Sequence, residues 1–224
     1  MMNMKLYYTN NGILLECQDK FTLCADSDWD SLINKHDLFE HLDLLHKRLP
    51  VCEQAAEILS AGLLPPMHSQ ELWASGVTYL RSKLERQEES KSAGGGDFYQ
   101  RVYEAARPEL FFKATRHRVV GHGGMVRIRA DSDWNVPEPE LALVVNKSGK
   151  IVGYTIGNDM SSRSIEGENP LYLPQAKTYD GCAALGPCVF VSKNVIPSDS
   201  RINLCVRRDA KDIFTGSVAI SMIK

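Results

Sequence analysis

Two largely apolar runs, Leu141 to Val145 and Ile151 to Ile156, stand either side of a short polar turn, Asn146 to Gly149. Runs this short, rich in β-branched side chains and separated by Asn and Gly, specify a β-hairpin rather than a helix. The hairpin also fixes what its open end brings together. Glu138 and Glu140 precede the first run at i and i+2, so on a strand their side chains share one face. Gly157-Asn158-Asp159 closes the second run and returns Asp159 to that pair. Three carboxylates in one place repel, and a hard divalent cation with oxygen ligands, Mg²⁺ or Mn²⁺, relieves them. The plain alternative is a solvated Glu-x-Glu on an exposed face, and the spacing alone leaves both open.

The rest of the chain divides by pattern. Lys5 to Tyr8, Ile13 to Cys17 and Phe21 to Ala25 read as short strands, the first two joined through Asn10-Asn11-Gly12. Apolar residues from Trp29 to Leu49 recur at helical spacing with Asp28 as cap, and Glu53 to Leu59 forms a second helix. Pro65-Pro66 forbids helix and marks a boundary, so residues 1–66 are expected to form a small N-terminal α+β module and 67–224 a mostly β domain. The polar, Gly-rich stretch Glu85 to Asp97 reads as a helix end and a loop. Beyond it, Leu110 to Lys113, Val126 to Arg129, Cys188 to Val191 and Ile202 to Arg207 read as further strands. The fold class is therefore α+β.

With 43% hydrophobic residues and a formal net charge of −2 over 224 residues, the chain can fill a core but has no excess of positive charge. Phosphate backbones and anionic membranes are excluded as partners on that ground. No apolar run reaches a membrane span and the first residues lack a signal core, so a cytoplasmic protein is expected. Six scattered cysteines without a Cys-x-x-Cys pair read as reduced and mostly buried.

Three further segments carry chemistry: Gly153-Tyr154-Thr155-Ile156-Gly157-Asn158-Asp159-Met160-Ser161-Ser162-Arg163, Gln175-Ala176-Lys177-Thr178-Tyr179-Asp180-Gly181, and Pro137-Glu138-Pro139-Glu140-Leu141. Together they resemble the fumarylacetoacetate hydrolase superfamily. The resemblance implies a β-roll of the fumarylacetoacetase C-terminal kind around a metal site, with Glu138, Glu140 and Asp159 as ligands, Lys177 as the active-site lysine and Arg163 beside the substrate. Members continue past the position of Lys224, so the roll is expected to be incomplete here. A roll with open edges invites pairing, so either the chain is a fragment or it is a homo-oligomer whose partner covers the gap.

Hydrolases of this superfamily carry Asn-Tyr-x-x-His, whose histidine activates water. Here the stretch is Thr78-Tyr79-Leu80-Arg81-Ser82, and a serine hydroxyl does not take a proton near neutral pH as imidazole does. That run, with Glu109 before Leu110-Phe111-Phe112-Lys113, resembles instead the branch that dehydrates 2-keto-3-deoxy sugar acids. The resemblance implies Lys177 and Glu109 as the acid–base pair and Tyr79, Arg81 and Arg163 as substrate contacts. The alternatives are a hydrolase, decarboxylase or isomerase of small 2-keto or β-diketo acids, and an inactive metal- or partner-binding relic.

Overall fold

The computed structural model describes residues 2–76 and 101–223. Strands β1 (Met4–Thr9), β2 (Gly12–Cys17) and β3 (Lys20–Cys24) form a meander. Helices α1 (Trp29–Ile33), α2 (Leu38–Arg48) and α3 (Ala55–Ser60) follow. After β4 (Glu71–Gly76), the described chain resumes toward β5 (Glu109–Thr115), β6 (Val119–Val120) and β7 (Asn135–Val136). The hairpin β8 (Pro139–Val145) and β9 (Ile151–Asp159) leads to β10 (Ser161–Ser162), α4 (Arg163–Glu168) and α5 (Leu173–Lys177). Strand β11 (Ala183–Val191) and the hairpin β12 (Arg201–Arg208) and β13 (Lys211–Ala219) complete it.

Seven strands form one sheet in the order β3-β2-β1-β11-β9-β8, with β6 added in parallel to β11. Because β1 pairs antiparallel with β11, the sheet runs across the division expected after residue 66. Period-2 alternation gives each strand of the meander two apolar faces. Ile13, Leu15 and Cys17 pack with Trp29, Leu38 and Leu42 of α1 and α2, while Leu14 packs with Phe21, Ala55 and Ile58 on the α3 side. The first cluster extends to Val152, Val189 and Val191, so it ties the meander to β9 and β11. Gly153 is needed there, because a Cβ would collide with the Val189 side chain.

The structure corrects two sequence expectations and adds five strands, β4, β6, β7, β10 and β13. The helix expected from Trp29 to Leu49 is two helices, of which only the first has a side-chain cap. Asp28 does cap the first, accepting the Ser31 N–H at 2.8 Å. The break leaves backbone acceptors free for a distant partner: Asn146 Nδ2 donates to the Lys35 carbonyl at 3.4 Å and Lys150 Nζ to the His36 carbonyl at 2.9 Å. Val126 to Arg129 is not a strand. It has the composition but no ladder beside it, and its Arg127 N–H makes a single bond to the Gly181 carbonyl at 2.9 Å. Strand β13 is paired along its length with β12.

All six cysteines are free thiols, and Cys205 is exposed. No helix among the described residues is long and apolar enough to cross a membrane.

Candidate metal centre

Register builds the site. In the β8–β9 ladder Pro139 faces Asn158 and Glu140 faces Gly157, and the Asp159 N–H donates to the Glu138 carbonyl at 2.9 Å. Asp159 therefore stands across from Glu138, and Glu140 shares the face of Glu138 two residues on. One carboxylate oxygen from each of Glu138, Glu140 and Asp159 lies within 4.8 Å of the other two. That is close enough for one ion to touch all three.

Three cationic side chains converge on this cluster. Lys177, at the end of α5, is 1% exposed. Its Nζ donates to Ser161 Oγ at 2.6 Å, to Asp159 Oδ2 at 2.9 Å and to Glu138 Oε2, with Glu166 Oε1 at 3.6 Å. Arg163 opens α4, whose N-cap Ser162 accepts the Ile165 N–H at 3.3 Å. Its guanidinium bridges Glu138 Oε1 and Glu166 Oε2, the latter at 2.5 Å. Lys113, from the buried end of β5, reaches Asp159 Oδ1 at 2.5 Å.

Glu140 differs from its neighbours. Among the described residues no hydrogen bond or ion pair reaches its carboxylate. Burial, and then the negative charges of Asp159 and Glu138, push its pKa from the ordinary 4.5 up to about 8, against the pull of Lys177 and Lys113. A half-buried carboxylate held beside two others, with cations satisfying those two, could hold a further cation. Oxygen-only donors suit Mg²⁺ or Mn²⁺ over softer metals.

Of the residues expected from sequence, the structure brings Glu138, Glu140, Asp159, Lys177 and Arg163 together. Glu109 stands on the same face of β5 as Phe111, by alternation, while a bulge between Phe112 and Ala114 interrupts the alternation at Lys113, which lies four residues and about 13 Å along the strand from Glu109. Its side chain occupies the space a Cβ at Gly76 would fill. The Phe111 ring centroid lies 5.6 Å from Lys177 Nζ, which connects this face of β5 to the site. Tyr79, Arg81 and Ser82, and the loop at Glu85 to Asp97, lie outside the described residues.

Sequence reasoning missed Lys113, Glu166 and Ser161. Glu166 had a signal, standing three residues after Arg163 on a helix, where the two side chains meet. A cleft of about 620 Å³ opens over the cluster, with Glu140, Asp159 and Lys113 at its floor and Trp73, Leu110 and Leu143 among its walls.

The class follows from the sequence match that accompanies this geometry: the chain belongs to the fumarylacetoacetate (FAA) hydrolase C-terminal family, matched over residues 72–223. Within it, the chain is 52% identical over 150 residues to a probable 2-keto-3-deoxyxylonate dehydratase of Haloferax volcanii, covering 66% of this chain and 50% of that protein. It is 47% identical over 155 residues to the 2-dehydro-3-deoxy-D-arabinonate dehydratase of Saccharolobus solfataricus, covering 68% and 52%. The chain spans about half the length of these relatives. A solved 2-keto-3-deoxy-D-arabinonate dehydratase, complexed with magnesium and 2,5-dioxopentanoate, superposes with TM-score 0.76 at 32% identity, over all of this chain and 78% of that one.

Proposed function

We propose that this chain carries the metal centre of a dehydratase of 2-keto-3-deoxy sugar acids, with Mg²⁺ held by Glu138, Glu140 and Asp159. The observation that carries the reading is Glu140, a carboxylate pressed against two others while the cations of the site are engaged elsewhere. Relatives named as dehydratases of such acids, one of them solved with magnesium and a dioxo acid, supply the substrate class. The finer arrangement, a β-roll in a cytoplasmic homo-oligomer, belongs to the same reading. Leu143 and Val145, 50% and 49% exposed on β8 at the sheet edge, are apolar surface that such an assembly would cover.

When bound, the metal supplies electrostatic stabilisation to the 2-keto carboxylate group as negative charge develops on the ketone oxygen. Lys177 stands at the cluster with Ser161, Asp159 and Glu138 fixing its Nζ, and acts as the base at C3. Glu109, from the same β5 face as Phe111, protonates the departing C4 hydroxyl. One C3 proton and the C4 hydroxyl leave as water, transfer of a C5 proton back to C3 gives a C4–C5 enol, and passage of the enol hydroxyl proton to C4 then gives the 2,5-dioxo acid. Arg163 holds Glu138 in place and, with Arg81 and Tyr79, orients the substrate.

A chain extended to the length of these relatives, supplied with Mg²⁺, is expected to convert 2-keto-3-deoxy-pentonate to 2,5-dioxopentanoate, read as aldehyde formation, and to stop in EDTA. Lys177→Met is expected to keep Mg²⁺ binding and lose deuterium incorporation at C3 in D₂O. Cleavage of acylpyruvates without any dehydration would overturn the dehydratase reading and leave the metal centre standing.

A further inference from the structure

Lys113 is a fully buried lysine, 1% exposed, whose place in the site follows from neither the carboxylate triad nor the acid–base pair. An ammonium has three N–H donors. Two of those of Lys113 go to the Met160 carbonyl at 2.8 Å and to the Lys177 carbonyl, and its charge pairs with Asp159 Oδ1 at 2.5 Å. The Tyr179 ring closes over it, with its centroid 5.8 Å from Nζ. The three partners of Lys113 come from the end of β9, the residue after it, and the end of α5, so one nitrogen joins a candidate metal ligand to the backbone that carries Lys177.

We infer that Lys113 is a positioning residue. It fixes the direction of the Asp159 carboxylate and the distance between that carboxylate and Lys177, so that the triad meets its cation in a preset geometry. The inference rests on the metal-binding reading above for its consequence, though the tie itself is independent of any metal. A role as counter-charge alone makes the opposite forecast. Deleting a cation beside Asp159 would leave the triad more negative and tighten a divalent ion, whereas loss of position frees Asp159 Oδ1, lets the carboxylate turn onto Lys177 and weakens the site. A guanidinium at this position keeps the charge but spreads its donors over a planar fork, which does not reproduce two bonds and an ion pair converging on a single nitrogen.

The test uses the full chain, with Lys113→Met and Lys113→Arg. In EDTA, hydrogen exchange read by mass spectrometry is expected to rise in the segments around Met160 and Thr178 in both variants, more than in β1 to β3. Mn²⁺ is the probe for the site. Both variants are expected to bind it at least tenfold more weakly than the parent, with a changed EPR line shape. Parental exchange at those segments would overturn the tie. Unchanged or tighter Mn²⁺ binding by Lys113→Met, with the parental line shape, would reduce Lys113 to a packing or charge role. If Lys113→Arg does not fold, Lys113→Met decides by the sign of its change. A parent that binds no Mn²⁺ would sink the metal reading, and the exchange result would still judge the tie.

Discussion

At its turn, the β8–β9 hairpin buries a neutral asparagine and gives both its amide oxygen and its amide nitrogen a partner, whereas at its open end it gathers three carboxylates and, among the described residues, leaves one of them without an ion pair. Asn146, 5% exposed, accepts from the Ser148 and Lys150 N–H groups, both at 3.0 Å, and donates to the Lys35 carbonyl. The Lys147 N–H adds a bond to Asn34 Oδ1 at 2.8 Å. The two ends belong to the same two strands and so share one ladder. The difference teaches where stability and function are separated: the turn anchors the hairpin against α1 and α2 with satisfied hydrogen bonds, and that anchorage lets the other end hold like charges together. Buried charge without a partner costs stability unless a ligand supplies the partner.

The comparison breaks first at the turn. Asn146→Ala strands the backbone donors of Ser148 and Lys150 and should cost about 2 kcal/mol of stability, measured by urea denaturation, with Mg²⁺ affinity within twofold of the parent. A large loss of Mg²⁺ affinity would mean that the two ends are not separate in function. A smaller effect sharpens it at the open end. Glu140→Gln should raise the melting temperature of the EDTA-treated chain by a few degrees near pH 8, because it removes the ionised form that burial and the neighbouring carboxylates disfavour.

The sign follows from the pKa. Glu140 titrates at about 8 in the folded chain against the ordinary 4.5. Between these values the folded state keeps a proton that the unfolded state has released, so this residue's contribution to stability is present below about 4.5 and is lost as the pH rises through 8. The parent in EDTA should therefore lose melting temperature from pH 5 to pH 8 relative to Glu140→Gln, and a parallel pair of curves would count against the raised pKa.

The sequence made the open end legible because its geometry is local. Period 2 placed Glu138 and Glu140 on one face, and a short turn returned Asp159 to them. The family motifs added Lys177 and Arg163, which no spacing rule would place beside residues 39 and 25 positions earlier. The break between α1 and α2 was hidden because what takes its free carbonyls lies 111 and 114 residues away. Val126 to Arg129 misled for the converse reason, since alternation describes a strand only where another strand is available to pair. Lys113 was the hardest to find. A lysine is ordinarily solvated, and two of its three partners are main-chain carbonyls, which leave no mark in a sequence. The available signal was its place within the apolar run Leu110 to Ala114, alternating with Glu109 and Phe111.

The central claim is that Glu138, Glu140 and Asp159 hold one divalent cation, and calorimetric titration of Mg²⁺ into the parent and Glu140→Ala tests it most directly. The titration is best run at or above about pH 8, where fewer protons compete with the metal for Glu140 than at neutral pH. The account predicts one ion per chain in the parent and an affinity at least tenfold weaker in Glu140→Ala, with the far-ultraviolet circular dichroism of the two proteins unchanged. Equal affinity in the two proteins, or no binding to a folded parent, would contradict it.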